Sequence, residues 1–592
     1  MKPHNLLEMV SQTVSRFPDK TALLWTEDSQ PRSMTYQKLW ATVRDFAFGL
    51  ERLGIKAGSK VAIISENHPR FLISDLAILS LGAVSVPIHP LKPAADIKKI
   101  LLHSEAEAVL VGTPPMLDQL DPPSEIRHTI LLTGKAEGKR GALRFETVIQ
   151  LGQTVALEEL DWVYPAIQPP ELAAIVYQQG VHGKPKGAML SHANILSHLE
   201  SISHVIPMVS DDIVLSALPA SSSLTRLAGQ MAPLRCGATI AYTDQTDDLL
   251  SPMIQYRPTI FIGSAKQVER LYNLVHSEIE RSQFRAFLFR TARRLTQTYY
   301  DHARKGFNWP IPGTARWTHT LAHTLVFSKW VHRFGGRLRF LISDQLSLSD
   351  EARGFFETLG LPVITTHNTA ACTSIILASR LTDPADGSRN TLPGIEYRFL
   401  SDGELLVKSA SVMMGYYNRP EKTQQTIVNG WLHTREFAEA VSDGQIKMTG
   451  LRKNCVTLSD GTLVDTDDCE DALNASPLIE RAVLLGNARP YITALITPDP
   501  AACAGKSPAE LEELIKEEID RRLEGFSLIE KPKRFALLHR SFSQSRGELT
   551  STQRLRLPKI EENYAEIIEA MYSESTASRS AAATESKDPA TP

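Results

Sequence analysis

Short apolar runs of strand length alternate with segments of helical period along most of the chain, and this alternation constrains the fold more than any other feature. KVAIIS (Lys60 to Ser65) is followed by a helical stretch from Phe71 to Leu81. RLRFLIS (Arg337 to Ser343) precedes a helix for which Ser349 is the expected N-cap. Asp350 and Glu351 suit the positive end of its dipole, and Gly360 closes it before LPVIT. Strands and helices in such alternation bury a sheet under helices, so the expected fold class is α/β. At 592 residues the chain exceeds what one hydrophobic core can organise, and several structural units are expected.

The pattern restarts on a smaller scale from about Thr449. AVLLGN and ITALIT read as strands, and Ser507-Pro508-Ala509-Glu510 supplies an N-cap, a proline at the first helical position and a capping-box glutamate. The expected organisation is a large N-terminal domain of helix-covered β-sheets over residues 1–450 and a small mobile C-terminal α/β domain over residues 451–573. A polar, disordered tail over 574–592 has too little apolar surface to offset its ordering entropy. Residues 275–335 form a basic and aromatic helical insertion containing AFLFRTARRLTQTYY and HTLVFSKWVHRF. Its two readings are an amphipathic helical pair packed on the sheet and a membrane-docking surface.

Composition narrows the function classes. A net charge of -3 and a pI near 6.6 give no overall basic excess that would point to nucleic acid or an anionic membrane surface, so the expected partner is a small molecule. Cys236, Cys372, Cys455, Cys469 and Cys503 are odd in number and lack the close spacing of a metal or redox site, which fits a reducing cytoplasm and gives no metal-ligand set. MKPHNLLEMVSQ has no secretory-signal pattern, and no run approaches the roughly 20 apolar residues that span a bilayer. Membrane contact, if any, is peripheral.

The densest chemical signal begins at AAIVYQ (Ala173 to Gln178), which runs into QGVHGKPKGAMLSHANI. Gly180, Gly183 and Gly187 bracket Lys184 and Lys186, and Ser191 can start a helix. Glycines let backbone N–H groups converge on an anion while a lysine adds positive charge, as in a phosphate loop. Taken alone, the same residues also read as a basic surface turn.

Other segments carry a resemblance. The loop is similar to TSGTTGxPKG of the adenylate-forming acyl-CoA synthetase family, and GELLVKSASVMMGYYNRPEKT followed by GWLHTREF resembles that family's next long signature. TYQKL, GAVSVPIHP and LPGIEYRFLSDGELLVKS match in order. The insertion after PTIFIGSAKQVERLY, the run ERAVLLGNARPYITALITPD and the ending GELTSTQRLRL resemble the long-chain fatty-acid branch. The resemblance implies that ATP and a fatty acid form an acyl-adenylate and pyrophosphate, after which the small domain rotates and CoA takes the acyl group. ATP, Mg2+ and CoA are the implied cofactors and a fatty acid the implied partner. It places Lys186 with Gly180, Gly183, Lys184 and Gly187 on phosphate, and His367 and Asn368 in the YGxTE segment near the nucleotide. Glu436 falls on the ribose, Arg452 and Lys453 lie at the hinge motif GRxKE, and Arg554 takes the place of the lysine that stabilises α-phosphate charge.

Several family positions are substituted. Gln178, Gln179, Val181 and His182 replace the loop's hydroxyl residues, Ala371 replaces the glutamate near magnesium, and Leu451 replaces the hinge-motif arginine. Ser222 stands for a histidine beside the retained Arg226, and Ser343-Asp344-Gln345-Leu346-Ser347-Leu348 stands for SGGAPL. Loss of one preorganised electrostatic contact costs roughly 2.7 to 4 kcal/mol of transition-state stabilisation. Three readings therefore stand: an AMP-forming long-chain fatty acid–CoA ligase, a catalytically degenerate binder of acyl or nucleotide ligands, and an acyl transferase to a carrier-protein thiol. Cys372 as a nucleophile is set aside, because no base lies near it in sequence and buried free cysteines are common.

Overall fold

A computed structural model describes residues 2–135, 141–156, 166–177, 181–182, 185–243, 248–304, 312–344, 348–379, 388–400, 403–442, 444–450, 455–460, 462–500, 502, 505–544, 546–549 and 555–573. The expected α/β class holds: a large N-terminal region carries two extended sheets covered by helices, and a smaller C-terminal domain follows. The tail over 574–592 lies outside the described residues.

The parallel block of the larger sheet is built from Val363–Asn368, Phe340–Asp344, Ile260–Ser264, Ile213–Ser216, Thr239–Tyr242 and Thr21–Glu27, side by side in that order. Its inner strands are short and almost wholly buried, as expected of a sheet covered on both faces. Antiparallel strands extend it from Ile375–Ala378 through Ser388–Thr391 and Gln445–Gly450 to Trp431–Ser442. A second sheet places Leu172–Tyr177 beside Val84–Ile88, with Lys60–Ile64 and Ala108–Val111 beyond, and one hydrophobic core joins the two sheets.

Local signals set the helix starts. Ser349 caps Asp350–Thr358 by accepting from the Ala352 N–H at 3.3 Å, and Ser191 forms a capping box with Asn194 at the head of His192–Ser203. In the C-terminal domain Ser507 and Glu510 form the expected box on Pro508–Arg522, with Pro508 in the first turn. That helix and Asp467–Asn474 pack on the sheet of Ile479–Leu485, Thr493–Pro498 and Arg534–Leu537 through a separate core containing Leu473, Ile496 and Ile515.

One strand pairing ties the two regions. Val181–His182, inside the glycine- and lysine-rich loop, runs parallel to Leu463–Asp465 of a C-terminal hairpin, with Leu463 beside Val181 and Val464 beside His182. The phosphate-type loop is thereby hydrogen-bonded to the small domain.

Candidate active site

Ligands of open α/β sheets bind beyond the carboxyl ends of the strands. Here those ends are Ser264, Asp344 and Thr366, in register on neighbouring strands. His367 and Asn368 follow Thr366 directly. The His367 Nε2 lies 2.6 Å from an oxygen of Glu436, which is only 6% exposed. Glu436 reaches this point from an irregular stretch of Trp431–Ser442. Arg435 takes φ 62°, its N–H donates to Glu404 Oε1 at 3.1 Å, and the Thr434 hydroxyl donates to the Leu405 carbonyl at 2.7 Å. The Asn368 amide donates to Thr366 Oγ1 at 3.2 Å, while its buried Oδ1 accepts no hydrogen bond, leaving a polar atom that a ligand donor would satisfy. Burial pushes the nearby Asp344 carboxyl up to about 6, against the opposing effect of the Ala265 N–H.

Beside this floor is an ionic cluster. Lys186 Nζ sits 2.5 Å from Asp465 Oδ2 and 3.4 Å from Asp467 Oδ2. Lys422 Nζ contacts Asp467 at 2.9 Å and Asp471 at 2.6 Å, Arg435 pairs with Asp467, and Arg419 grips Asp468 with two nitrogens at 2.7 and 3.2 Å. Burial works to lower the Lys186 pKa, but Asp465 and Asp467 raise it overall. Burial likewise works to raise Asp467, yet Arg435 and Lys186 hold it far below the usual carboxylate range. Four cations thus meet four aspartates, and Lys186 is already committed to carboxylates.

The sequence alone did not single out Arg419, Lys422, Arg435 or the four aspartates. The signal was present in DTDDCED, where five of seven positions from Asp465 to Asp471 are acidic.

The family model described as "AMP-binding enzyme" matches residues 10–417, and one described as "AMP-binding enzyme C-terminal domain" matches residues 453–576. The chain belongs to the AMP-binding enzyme family. A long-chain-fatty-acid–CoA ligase of Mycobacterium tuberculosis is 27% identical over 599 residues, covering 95% of this chain and 98% of its own. A chloroplastic long-chain-fatty-acid–[acyl-carrier-protein] ligase of Arabidopsis thaliana is 25% identical, covering 95% of this chain and 86% of its own. Among solved structures, an anthranilate CoA ligase in complex with anthranoyl-AMP superposes with a TM-score of 0.60 at 17% identity, over 96% of this chain and 99% of that one. A Mycobacterium tuberculosis fatty acyl CoA synthetase gives 0.59 at 18% identity, over 95% and 99%. The structural likenesses establish the adenylate-forming fold, and the curated relatives come from the long-chain ligase branch that the motifs resemble.

Against the family pattern, the ionic cluster spans the two matched regions or their immediate border: Lys186 lies in the first, and all four aspartates lie in the second. His367 and Glu436 are brought together, and Lys186 meets Arg435, the neighbour of Glu436, through Asp467. Gly180, Gly183, Lys184, Arg452, Lys453 and Arg554 lie outside the described residues, as do Gln178, Gln179, Leu451 and Gln345 to Ser347. The residues flanking Arg554 are described: Leu549 and Leu555 pair with one another, and the buried Glu548 accepts from the Ser543 N–H at 3.0 Å and from Asn563 at 3.1 Å.

Gly187 has a packing reason. A Cβ there would lie 2.5 Å from Ile175 Cγ2 and 2.9 Å from Tyr177 Cζ. Arg226 forms a buried two-pronged pair with Asp75 through its Nε and Nη2, at 3.0 Å for each bond. Ala371 is buried and carries no metal-binding atom, and among the described residues no group of three or more His, Cys, Asp or Glu is placed to hold a metal ion. Cys372 is fully buried, and burial pushes its thiol up to about 12, far from the thiolate a nucleophile needs.

Proposed function

We propose that the protein is an AMP-forming ligase of long-chain fatty acids. In this reading the fatty-acid carboxylate attacks the α-phosphorus of ATP, pyrophosphate leaves, and the thiol of CoA then displaces AMP from the acyl-adenylate. The observation that carries it is the buried Glu436 carboxylate, set by His367 at 2.6 Å beside the carboxyl ends of the parallel strands, where the family holds ribose. Lys186 and the Gly180 to Gly187 segment take the phosphates, with Asn368 Oδ1 as a free acceptor near the nucleotide. Arg554 bears the developing charge on the α-phosphate. It keeps the cation but presents a planar fork in place of a compact ammonium. No step is assigned to a metal held by the protein.

A second reading, a binder without turnover, is favoured by one observation: Lys186 is paired with Asp465 and Asp467, so its charge is not free for phosphate in this arrangement. A carrier-protein thiol in place of CoA is a third outcome, prompted by the acyl-carrier-protein ligase among the relatives.

The deciding experiment is pyrophosphate release from ATP, magnesium and palmitate, with CoA, with a carrier protein and with neither, using Arg554→Ala and Glu436→Ala as controls. Release that depends on palmitate and falls at least about 100-fold in Arg554→Ala supports the ligase. Absence of release, with ATP or palmitate still raising the melting temperature, replaces it with the binder. Product on the carrier protein alone changes the acceptor.

A further inference from the structure

The helical insertion presents an apolar and basic face that the proposed chemistry does not use. In the helix Gln283–Arg304, Ala286, Phe289, Ala292 and Thr296 point into the protein, where Phe289 packs against Phe327 and Phe355 at ring distances of 5.6 Å. With about 3.6 residues per turn, Phe287 and Phe284 fall on the opposite side, with Leu295 and Leu288 successively nearer the boundary. Phe284 is 70% exposed, Phe287 63% and Leu295 57%. The neighbouring helix Gly313–Ala322 and the turn after it add a second stripe at four-residue spacing: Trp317 is 66% exposed, Leu321 44% and Leu325 70%. The Thr318 hydroxyl donates to the Leu295 carbonyl at 3.4 Å, and the His319 ring stacks on Tyr299 at 3.9 Å, which holds the two helices side by side.

Among the described residues, seven of the sixteen exposed large hydrophobic side chains fall between Phe284 and Leu325, so they are concentrated rather than scattered. Isolated exposed apolar residues need no explanation, whereas a cluster on adjacent helices does.

Charge selects the partner. From Arg281 to Arg339 the chain holds twelve Lys and Arg and one acid, Asp301, and with Arg333 and Arg339 paired to Glu278 and Asp212 outside the segment a local excess of nine positive charges remains in a protein of net charge -3. Arg285, Arg290, Arg294 and Arg316 are exposed and make no ion pair among the described residues. Arg290 and Arg294 border the apolar stripe on the side of Phe287. A second copy of the chain would bring two such basic segments together, so self-association through this face is opposed by its own charge.

We propose that this helical pair docks the protein on an anionic phospholipid bilayer. Phe284, Phe287, Trp317 and Leu325 enter the level of the acyl chains, and the arginines lay their stems along the apolar surface and extend guanidinium groups to the lipid phosphates. Docking is peripheral, since no described helix is long and apolar enough to cross a membrane. The inference stands whether or not the chain turns over ATP.

The test is co-sedimentation of the full-length protein with vesicles of phosphatidylcholine alone and of phosphatidylcholine mixed with phosphatidylglycerol. Two variants accompany it: Phe284→Ser/Phe287→Ser/Trp317→Ser, and Arg285→Gln/Arg290→Gln/Arg294→Gln. All six sites are exposed, and an unchanged melting temperature shows that each variant folds. Binding to the anionic vesicles, weakened by high salt, is expected. Each arginine near such a surface contributes about fivefold, so the triple glutamine variant binds roughly 100-fold more weakly. The triple serine variant loses retention on both vesicle types. Protein that stays in the supernatant with anionic vesicles overturns the proposal, as does equal binding by the variants. Self-association without lipid that Trp317→Ser abolishes also overturns it, assigning the face to a second copy.

Discussion

Asp467→Asn removes one negative charge from the ionic cluster while keeping side-chain shape, and its effect can be worked from the contacts. Asp467 accepts from Lys186 at 3.4 Å, from Lys422 at 2.9 Å and from Arg435. Lys186 retains Asp465 at 2.5 Å, and Lys422 retains Asp471 at 2.6 Å. Among the described residues Arg435 keeps no other ion pair, though the Asp465 charge still acts on it, and its side chain is 26% exposed, so water recovers part of its solvation. Removing one member of a buried pair costs about 3–5 kcal/mol, and the two surviving partners place this variant just below that range, at about 2–3 kcal/mol. Asp471→Asn is the internal control: Asp471 is 57% exposed, and losing an exposed pair costs about 1 kcal/mol or less. Urea unfolding followed by tryptophan fluorescence, at low and high salt, measures both. The Asp467→Asn loss should persist at high salt, because buried pairs are screened little. Equal losses in the two variants, or a loss for Asp467→Asn that vanishes with salt, would refute the view that Asp467 centres a buried cluster.

Other expectations follow from single residues. Burial pushes the Glu470 carboxyl up to about 8, so the folded state retains a proton that the unfolded chain releases above about 4.5; stability therefore falls as pH rises between these values. Glu470→Gln, which keeps an acceptor for the Leu484 N–H at 2.8 Å, should gain a few kcal/mol at pH 8 relative to pH 4.5 and flatten that slope in pH-dependent denaturation. Gly187→Ala forces a methyl group to within 2.5 Å of Ile175 and should cost about 1–3 kcal/mol in thermal unfolding, whether or not nucleotide is present. Cys372, fully buried with its thiol raised to about 12, should resist iodoacetamide in the native protein at pH 8 and react only after denaturation, as mass spectrometry of the labelled peptide would report.

Features fixed by neighbouring residues were legible in the chain. Ser191, Ser349 and Ser507 cap helices because a hydroxyl oxygen and the N–H that donates to it lie within one turn, and the buried strands announce themselves as apolar runs. Glu436 and His367 were each named as site residues from the motifs, but their contact joins positions 69 apart and depends on the left-handed Arg435, which no composition rule requires. The pairing of Val181–His182 with Leu463–Asp465 was less accessible still, since it joins two-residue and three-residue strands almost 300 positions apart. The insertion read two ways because helical period alone does not rank two apolar faces. Ala286, Phe289 and Ala292 are as regularly spaced as Phe284, Leu288 and Leu295, and only packing shows which set is covered.

The ionic cluster and the phosphate loop make opposing demands on Lys186, and this has a measurable consequence. A triphosphate beside Lys186 would bring several negative charges against Asp465 and Asp467, which already neutralise that ammonium at 2.5 and 3.4 Å. Both cannot hold the lysine at full strength, so nucleotide binding and closure of the cluster are coupled with negative sign, and the coupling is reciprocal. Asp465→Asn removes the nearer competitor while leaving Asp467 for Lys422 and Arg435. It should therefore tighten ATP binding by a factor in the range of about 5 to 150, the usual span of such couplings. ATP in turn should stabilise this variant more than the parent protein. Titration calorimetry with ATP, alongside melting temperatures with and without it, reads both sides. Affinity that is unchanged or weaker in Asp465→Asn would mean that the aspartates position the lysine for phosphate instead of competing for it, and the negative sign of the coupling would be wrong.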